Sequence, residues 1–429
     1  MTRTYIDNIF FVFLVSAVMG SGFAYYKLYL FHIVLVVLIA SIGIAYLRKQ
    51  QHNFEFSNNA FVLFWLINFA WYFLSLIWSI NILYTLKYLV FLLFGFFIIF
   101  FIVSFSATEE KYKRAFKPIA ITFIVGLAFC LLESFSSFRW PADALYKYFD
   151  TPNNNSISFA NIYSNAQQSS LSSSFWGHRN TVSCAIVLLL PFFLMLKNPY
   201  YKYTGALLVL IVIAMNGTRG VLIAYFIGLL AYFLVTRHFK QFIVIAMLII
   251  GATFVITPNI NNLYKIGISV KRLATSINAL SNYIYLSDKP VDASIRVRKQ
   301  LIVNGLDAFV ASKGLGVGGG ASVAVQESKG GHVGYIKTMH NLWIELLTEG
   351  GIIGFFMFFA WYVLVTFNLL KIHLKTTNDF FKYHSGALAL AMLIFAIACM
   401  SVSIVIYFFP MWILFALSTS LIIIHKKAT

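Results

Sequence analysis

The chain has 429 residues, of which 60% are hydrophobic and only 11% are charged. Soluble domains carry about 25% charged residues, so this composition excludes an ordinary soluble protein. Apolar runs that are long enough to cross a bilayer as helices recur along the whole sequence. Because lipid offers the backbone no hydrogen-bond partners, we predict an all-α polytopic membrane protein.

The formal charge of +18, from 32 Lys and Arg against 14 Asp and Glu, raises the question of a nucleic-acid partner. Many of the basic residues lie instead in short loops between apolar runs, where they set the orientation of a membrane protein. We therefore predict contact with membrane lipids and no nucleic acid. Cys130, Cys184 and Cys399 lie inside apolar runs without CxxC spacing, which is typical of buried free thiols.

In chain order, the apolar runs predict about 12 transmembrane helices. The first run is expected to stay in the membrane, because no convincing small-residue cleavage site follows it. The predicted spans cover residues 7–25, 28–47, 59–79, 82–104, 118–137, 180–197, 203–216, 220–236, 241–257, 351–370, 386–405 and 409–425.

The distribution of Lys and Arg predicts the orientation and the organisation of the chain. With both termini in the cytoplasm, every short inside loop is basic, from Arg48 and Lys49 to Lys426 and Lys427. Two long segments then fall on the outer side. The predicted organisation is nine spans in 1–257 with a polar outer loop at 138–180, a large extracytoplasmic loop at 258–350, and three spans in 351–429.

The large loop is expected to be helical in pieces. Apolar residues recur at helical spacing in 263–280 and 298–310, and a short helix is predicted from Met339 to Thr348, capped by Thr338 and ended by the next glycine pair. The glycine run 314–320 satisfies GxGxxG, but it follows no clear strand and has no acid about 20 residues further on. We interpret it as a turn or a close backbone approach.

His340 is the candidate catalytic residue of this loop. An unperturbed imidazole pKa near ~6.5 makes it a neutral base at physiological pH. Glu345 is expected either to orient His340 or to face water, and Glu349 to face water. A metal site is disfavoured, because His332 is the one nearby additional ligand and the loop has no HExxH motif. No metal and no cofactor are predicted.

Four arginines are candidate anion-binding residues. Arg179 and Arg219 stand at the outer ends of predicted spans, and Arg296 and Arg298 stand two apart in the loop. Such arginines can be interfacial anchors, but arginine also binds phosphate in a bidentate manner. Arg296 and Arg298 would share a face on an extended segment and diverge on a helix.

The ordered set of motifs resembles the O-antigen ligase and O-antigen polymerase family of integral-membrane glycosyltransferases. The matching segments are Gly177-His178-Arg179-Asn180, Thr218-Arg219-Gly220, Ser294-Ile295-Arg296, Gly314-Leu315-Gly316-Val317-Gly318, and His340-Asn341 followed by Glu345, Glu349-Gly350-Gly351 and Gly354.

The resemblance implies a GT-C-like fold and a metal-independent, inverting transfer of a glycan from undecaprenyl diphosphate. The acceptor would be a sugar hydroxyl of lipid A core or of a lipid-linked repeat. By carry-over, Arg219 and Arg296 would hold the diphosphate and His340 would be the general base, while Arg298 and Arg179 match less firmly. The implied location is the bacterial inner membrane, with the active site on the periplasmic face.

Two alternatives remain open. A lipid-linked oligosaccharide flippase or polysaccharide transporter usually needs a charge at the membrane midplane. Lys87 and Glu133 lie instead near predicted outer borders, where their side chains can snorkel. A non-catalytic export scaffold would tolerate loss of the arginines. Between the two enzymes of the family, the sequence favours the polymerase only slightly.

Overall fold

The computed structural model describes residues 3–25, 28–49, 59–140, 172–241, 243, 247, 293–329, 338–402 and 405–429. Within these ranges the chain is a bundle of α-helices, with one small antiparallel pairing of β1 (Ala24–Tyr25) and β2 (Leu28–Tyr29). The helices are α1 (Arg3–Met19), α2 (Leu30–Leu47), α3 (Ala60–Leu74), α4 (Ile82–Phe105), α5 (Glu109–Phe135), α6 (Arg179–Val187), α7 (Leu190–Leu194), α8 (Pro199–Asn216), α9 (Arg219–Val235), α10 (Ala293–Ala311), α11 (Ser322–Ser328), α12 (Leu342–Lys375), α13 (Asp379–Ala398) and α14 (Phe409–Ala428). Short 3-10 turns cover Gly20–Gly22, Ser75–Ile77 and Ser174–Trp176.

The prediction of an all-α polytopic membrane protein is confirmed. In the described part of the chain, eight helices are long and apolar enough to cross a membrane. The predicted span 180–197 is two shorter helices, α6 and α7, and the spans 203–216 and 220–236 correspond to α8 and α9. The predicted span 241–257 and the predicted helix 263–280 lie outside the described residues, apart from isolated positions.

The core lies around α14, nearly all of which is buried. Gly95 of α4 lets the two helices approach closely, since a Cβ at Gly95 would lie 2.3 Å from the Trp412 ring. Trp65 of α3 packs edge-on against Trp412 and Trp361. Tightly interlocked aromatic rings and small residues of this kind provide the van der Waals packing that holds membrane helices together.

Glu133, which the sequence placed at a membrane border with a snorkelling side chain, is fully buried. One carboxylate oxygen accepts a hydrogen bond from the backbone N–H of Trp140, and the other accepts from those of Ser173 and Ser174, at 2.7–2.8 Å. The carboxylate thus joins the chain just before residue 141 to the chain just after residue 171. The snorkelling interpretation was wrong because two of these donors, the Ser173 and Ser174 N–H groups, are 40 and 41 residues away in sequence.

The glycine run packs against the start of α12 through backbone contacts. Val317 N–H donates to the Thr348 carbonyl at 2.8 Å, and Ile352 N–H donates to the Gly314 carbonyl at 2.9 Å. Gly316 has φ +81°, and a Cβ there would lie 2.5 Å from the Glu349 carbonyl oxygen. The prediction of a turn with a close backbone approach is therefore correct.

The predicted short helix from Met339 to Thr348 needs two corrections. Its N-cap is Asn341, not Thr338, and the helix begins at Leu342. It does not end at the glycine pair: Gly351, with φ 65° and ψ −166°, makes a kink, after which α12 continues to Lys375. The Ile352 N–H that the kink frees from the helix is satisfied by the glycine run.

Candidate active site

His340 stands immediately before α12 and is held from both sides. Asn341 caps the helix, with its side-chain oxygen accepting from the Trp343 and Ile344 N–H groups at 3.1 and 3.4 Å. Met339 is buried against α10 and α11, where Gln326 Nε2 lies 3.1 Å from its sulfur. His340 itself has φ 50°, which is rare for a residue with a side chain. A strained backbone between two firm anchors fixes where the imidazole points.

The surroundings of His340 favour the neutral imidazole. Burial and the positive charge of Arg298 lower its pKa to about 4, and His178 contributes in the same direction. The Ser401 backbone carbonyl hydrogen-bonds the ring and opposes this shift. Nδ1 is buried and has no hydrogen-bond partner among the residues that the structure describes. The carbonyl therefore fixes the N–H on Nε2 and leaves the lone pair on Nδ1.

Ser401 also connects His340 to the turn that carries Arg219. A Cβ at Gly220 would lie 2.4 Å from Ser401 Oγ, so the first turn of α9 packs directly against the residue that bonds His340. The turn is firmly built: Gly217 takes a left-handed conformation with φ 63° after α8. Arg219 is the first residue of α9 and is half-buried.

The buried Asn216 side chain ties this turn to neighbouring segments. Its oxygen accepts from Ser172 N–H and Oγ at 3.0 and 3.1 Å, and its nitrogen donates to Ser183 Oγ of α6 at 3.2 Å. The N-termini of α6 and α9 consequently lie side by side. Helix N-termini carry partial positive charge and bind anions, so this end of the bundle suits an anionic group.

The two loop arginines separate, because α10 is a helix across both of them. Residues two apart on a helix point about 200° apart, and here Arg296 is exposed while Arg298 is half-buried and acts electrostatically on His340. The structure therefore brings Arg298, and not Arg296, to the histidine.

His178 is a site residue that sequence reasoning quoted in a motif but did not select. It is the N-cap of α6, with Nδ1 accepting from Asn180 N–H at 3.3 Å, and it influences the pKa of His340. Arg179, the next residue, is exposed at the first position of α6. Its position in the sequence could have identified His178 as a site residue, because it stands directly before a predicted span, beside an arginine and an asparagine.

Two adjoining cavities open beside these residues, and Lys87 and Tyr407 line both. The larger, of about 340 Å³, has His178 on its wall together with Tyr29, Phe91 and Trp176, and it includes Val402, the neighbour of Ser401. The smaller, of about 150 Å³, includes Thr338 and Met339, the two residues before His340. We call these the aromatic cavity and the carboxylate cavity.

The carboxylate cavity takes its name from Glu345 and Glu349, which line it from successive turns of α12. Both are buried, with 6% and 2% of their surfaces exposed, so the expectation that Glu349 faces water was wrong. In the described ranges, no three His, Cys, Asp or Glu side chains form a metal-ligating group.

The fold and the site define a polytopic helical membrane protein. At one end of its bundle, the N-termini of two helices, Arg298 and the neutral His340 lie beside two cavities whose linings include His178, Thr338 and Met339. Residues 204–359 match the family model described as O-antigen ligase, a range that contains Arg219, Arg296, Arg298 and His340. This match supports the predicted resemblance of the chain to the O-antigen ligase and polymerase family. No curated protein matches the chain.

The family assignment supports O-antigen ligase or polymerase-type activity, with a lipid-linked glycan and an acceptor as substrates. It supports a membrane glycosyltransferase-like enzyme in a multi-pass membrane protein.

Proposed function

We propose that the protein is an inverting glycosyltransferase that moves a glycan from undecaprenyl diphosphate to an acceptor sugar hydroxyl without a metal ion. The observation that carries this proposal is the pairing of Arg298 with His340. The Arg298 guanidinium suits an anionic leaving group, and the neutral His340 imidazole suits proton removal. The two side chains interact electrostatically.

The donor diphosphate would lie between Arg219 and Arg298, near the N-termini of α9 and α6. As the glycosidic bond breaks, the diphosphate oxygen gains negative charge, and fixed cations stabilise that charge. Arg296 is too exposed to be assigned this role from its position, and Arg179 could guide the anion from the surface. The aromatic cavity, with Phe91 and Trp176 on its walls, offers apolar surface for the isoprenoid.

His340 would act as the general base. The acceptor hydroxyl loses its proton to Nδ1 as its oxygen attacks the anomeric carbon from the side opposite the diphosphate, which inverts the configuration. Because Nδ1 is shielded from solvent, bulk water has poor access to the base. A shielded base favours transfer over hydrolysis of the donor.

The donor would also adjust the strength of this base. In the free protein, burial and Arg298 hold the pKa of His340 to about 4, which makes a weak base. A bound diphosphate would compensate the Arg298 charge and so raise the pKa of His340. The imidazole would become more basic only when the donor is in place.

For the location, we propose the bacterial inner membrane with both termini in the cytoplasm and the site on the periplasmic face. We retain a slight preference for the polymerase, whose acceptor is a lipid-linked repeat, over the ligase, whose acceptor is lipid A core. A GT-C-like arrangement follows from the same family resemblance.

The decisive experiment is the variant His340→Ala, expressed at wild-type level in the membrane. Loss of a general base typically costs about 10²–10⁴-fold in rate, so purified protein supplied with a lipid-linked repeat should form almost no longer product on a gel. Adding lipid A core in a parallel reaction separates ligase from polymerase. Product of normal amount and length from His340→Ala would contradict the proposal, and repeats accumulating on the cytoplasmic face of a deletion strain would favour a flippase.

A further inference from the structure

Glu345 is a buried carboxyl that the mechanism above does not use. It is 94% buried and lines the carboxylate cavity. Glu349, one turn further along α12, accepts from Ser322 Oγ at 2.6 Å through Oε1, whereas its Oε2 is buried without a partner in the described chain. Burying acceptors without donors is costly, and both side chains border the carboxylate cavity.

The walls of this cavity indicate what the missing donors are. Tyr84, Tyr88 and Tyr407 contribute aromatic rings, and Lys87 stands where the cavity meets the aromatic cavity. Pockets that bind small molecules combine apolar walls with a few fixed polar groups. Aromatic rings beside two buried carboxyl groups fit a ring that carries several hydroxyl groups, and the volume of about 150 Å³ is on the scale of one sugar ring.

We propose that the carboxylate cavity is a subsite for a neutral sugar residue, in which Glu345 and the free oxygen of Glu349 accept hydrogen bonds from ring hydroxyls. The inference rests on the proposed function, since it makes this sugar part of the glycan being transferred. The cavity borders Thr338 and Met339, the two residues before His340. A uronic acid would bring a negative charge beside two buried carboxyl groups, so the subsite favours neutral sugars over uronic acids.

The test measures binding rather than turnover. Protein in nanodiscs is titrated with methyl glycosides of glucose, galactose, mannose and N-acetylglucosamine, and with the matching methyl uronides, by saturation-transfer NMR. At least one neutral glycoside should bind, at least about tenfold more tightly than its uronide. Glu345→Leu should weaken that binding about tenfold or more, because it removes the hydrogen bonds that the buried carboxyl makes to the sugar. Glu345→Gln should reduce the difference in affinity between the neutral sugar and the uronide. Glu110→Leu, at an exposed glutamate at the start of α5, is the matched control and should bind like wild type.

Thermal unfolding separates a binding role from a structural one. Keeping a carboxyl buried is costly in the empty protein, so Glu345→Leu should leave Tm unchanged or raise it. Unchanged sugar binding in Glu345→Leu, equal binding of uronides, absence of binding by every neutral glycoside, or a marked fall in Tm would each overturn the subsite. Failure of the proposed function is distinguishable: His340→Ala would still make polymer while Glu345→Leu lost sugar binding.

Discussion

Arg298→Gln should raise the pKa of His340. In the folded protein, burial is the largest cause that lowers this pKa, and the Arg298 charge is the next. Removing the charge while keeping a polar side chain of similar reach leaves burial in place. The pKa should therefore rise above about 4 but stay below the ordinary value of 6.5. Each unit of that rise corresponds to about 1.4 kcal/mol of lost repulsion between the two cations.

The measurement does not need substrate. Nitrogen NMR of protein labelled with ¹⁵N-histidine follows the protonation of each imidazole between pH 4 and 8, and the His340→Gln variant identifies the signals of His340. In wild type these signals should stay those of the neutral ring down to about pH 5, and in Arg298→Gln they should begin to shift at a higher pH. The profile of kcat/KM against pH, which reports the free enzyme, should shift in the same direction.

Arg296→Gln is the matched control, because it removes the same charge from an exposed position two residues away. Its His340 profile should overlay that of wild type. Identical profiles in Arg298→Gln and wild type would refute the electrostatic pairing, and with it the idea that donor binding strengthens the base. An equal shift in both variants would mean that only the net charge of the loop matters.

Two further predictions concern stability. His340→Gln should flatten the dependence of Tm on pH. Because the pKa of His340 is lower in the folded than in the unfolded protein, wild type is stabilised above pH 6.5 and loses up to ~3 kcal/mol of folding free energy as the pH falls towards 4. A His340→Gln variant whose Tm falls with pH to the same extent as that of wild type would contradict this. Gly316→Ala should lower Tm, because a left-handed backbone costs Ala about 1–2 kcal/mol and its Cβ would lie 2.5 Å from backbone atoms of α12. Gly43→Ala, where a Cβ meets nothing within 4 Å, should leave Tm unchanged or higher, and equal effects of the two changes would refute the packing argument.

The membrane helices were predictable from sequence because their signal is local. A run of apolar residues of sufficient length has few other stable states in lipid, and the predicted spans from 7–25 to 220–236 and from 351–370 onward fall on helices. Helix boundaries were less predictable: α12 begins at Leu342, nine residues before the predicted span. These additional two and a half turns of helix are stabilised by contacts with α10 and the glycine run, which no local pattern encodes.

The sequence predicted which residues belong to the candidate site but not which of them contact one another. His340 and Arg219 stood out by position, but the choice between Arg296 and Arg298 depended on whether their segment is a helix. Glu133 shows the same limit, because its backbone donors at Ser173 and Ser174 come from a distant part of the chain. A charged residue near a membrane border looks the same in sequence whether its side chain snorkels to the interface or binds the backbone of a loop.

Glu345 and Glu349 are a second case in which tertiary contacts decide what the sequence pattern means. In sequence they form a polar stripe at i, i+4 spacing, which is typical of a solvated helix face. The stripe is buried because the glycine run lies against the same turn of α12, at a distance that only residues without side chains permit. The run that resembles a nucleotide-binding motif thus has a packing role: it brings backbone against α12 and Ser322 against Glu349. One consequence is that the glycines shape the carboxylate cavity, so Gly316→Ala should weaken sugar binding there even though Gly316 does not line it.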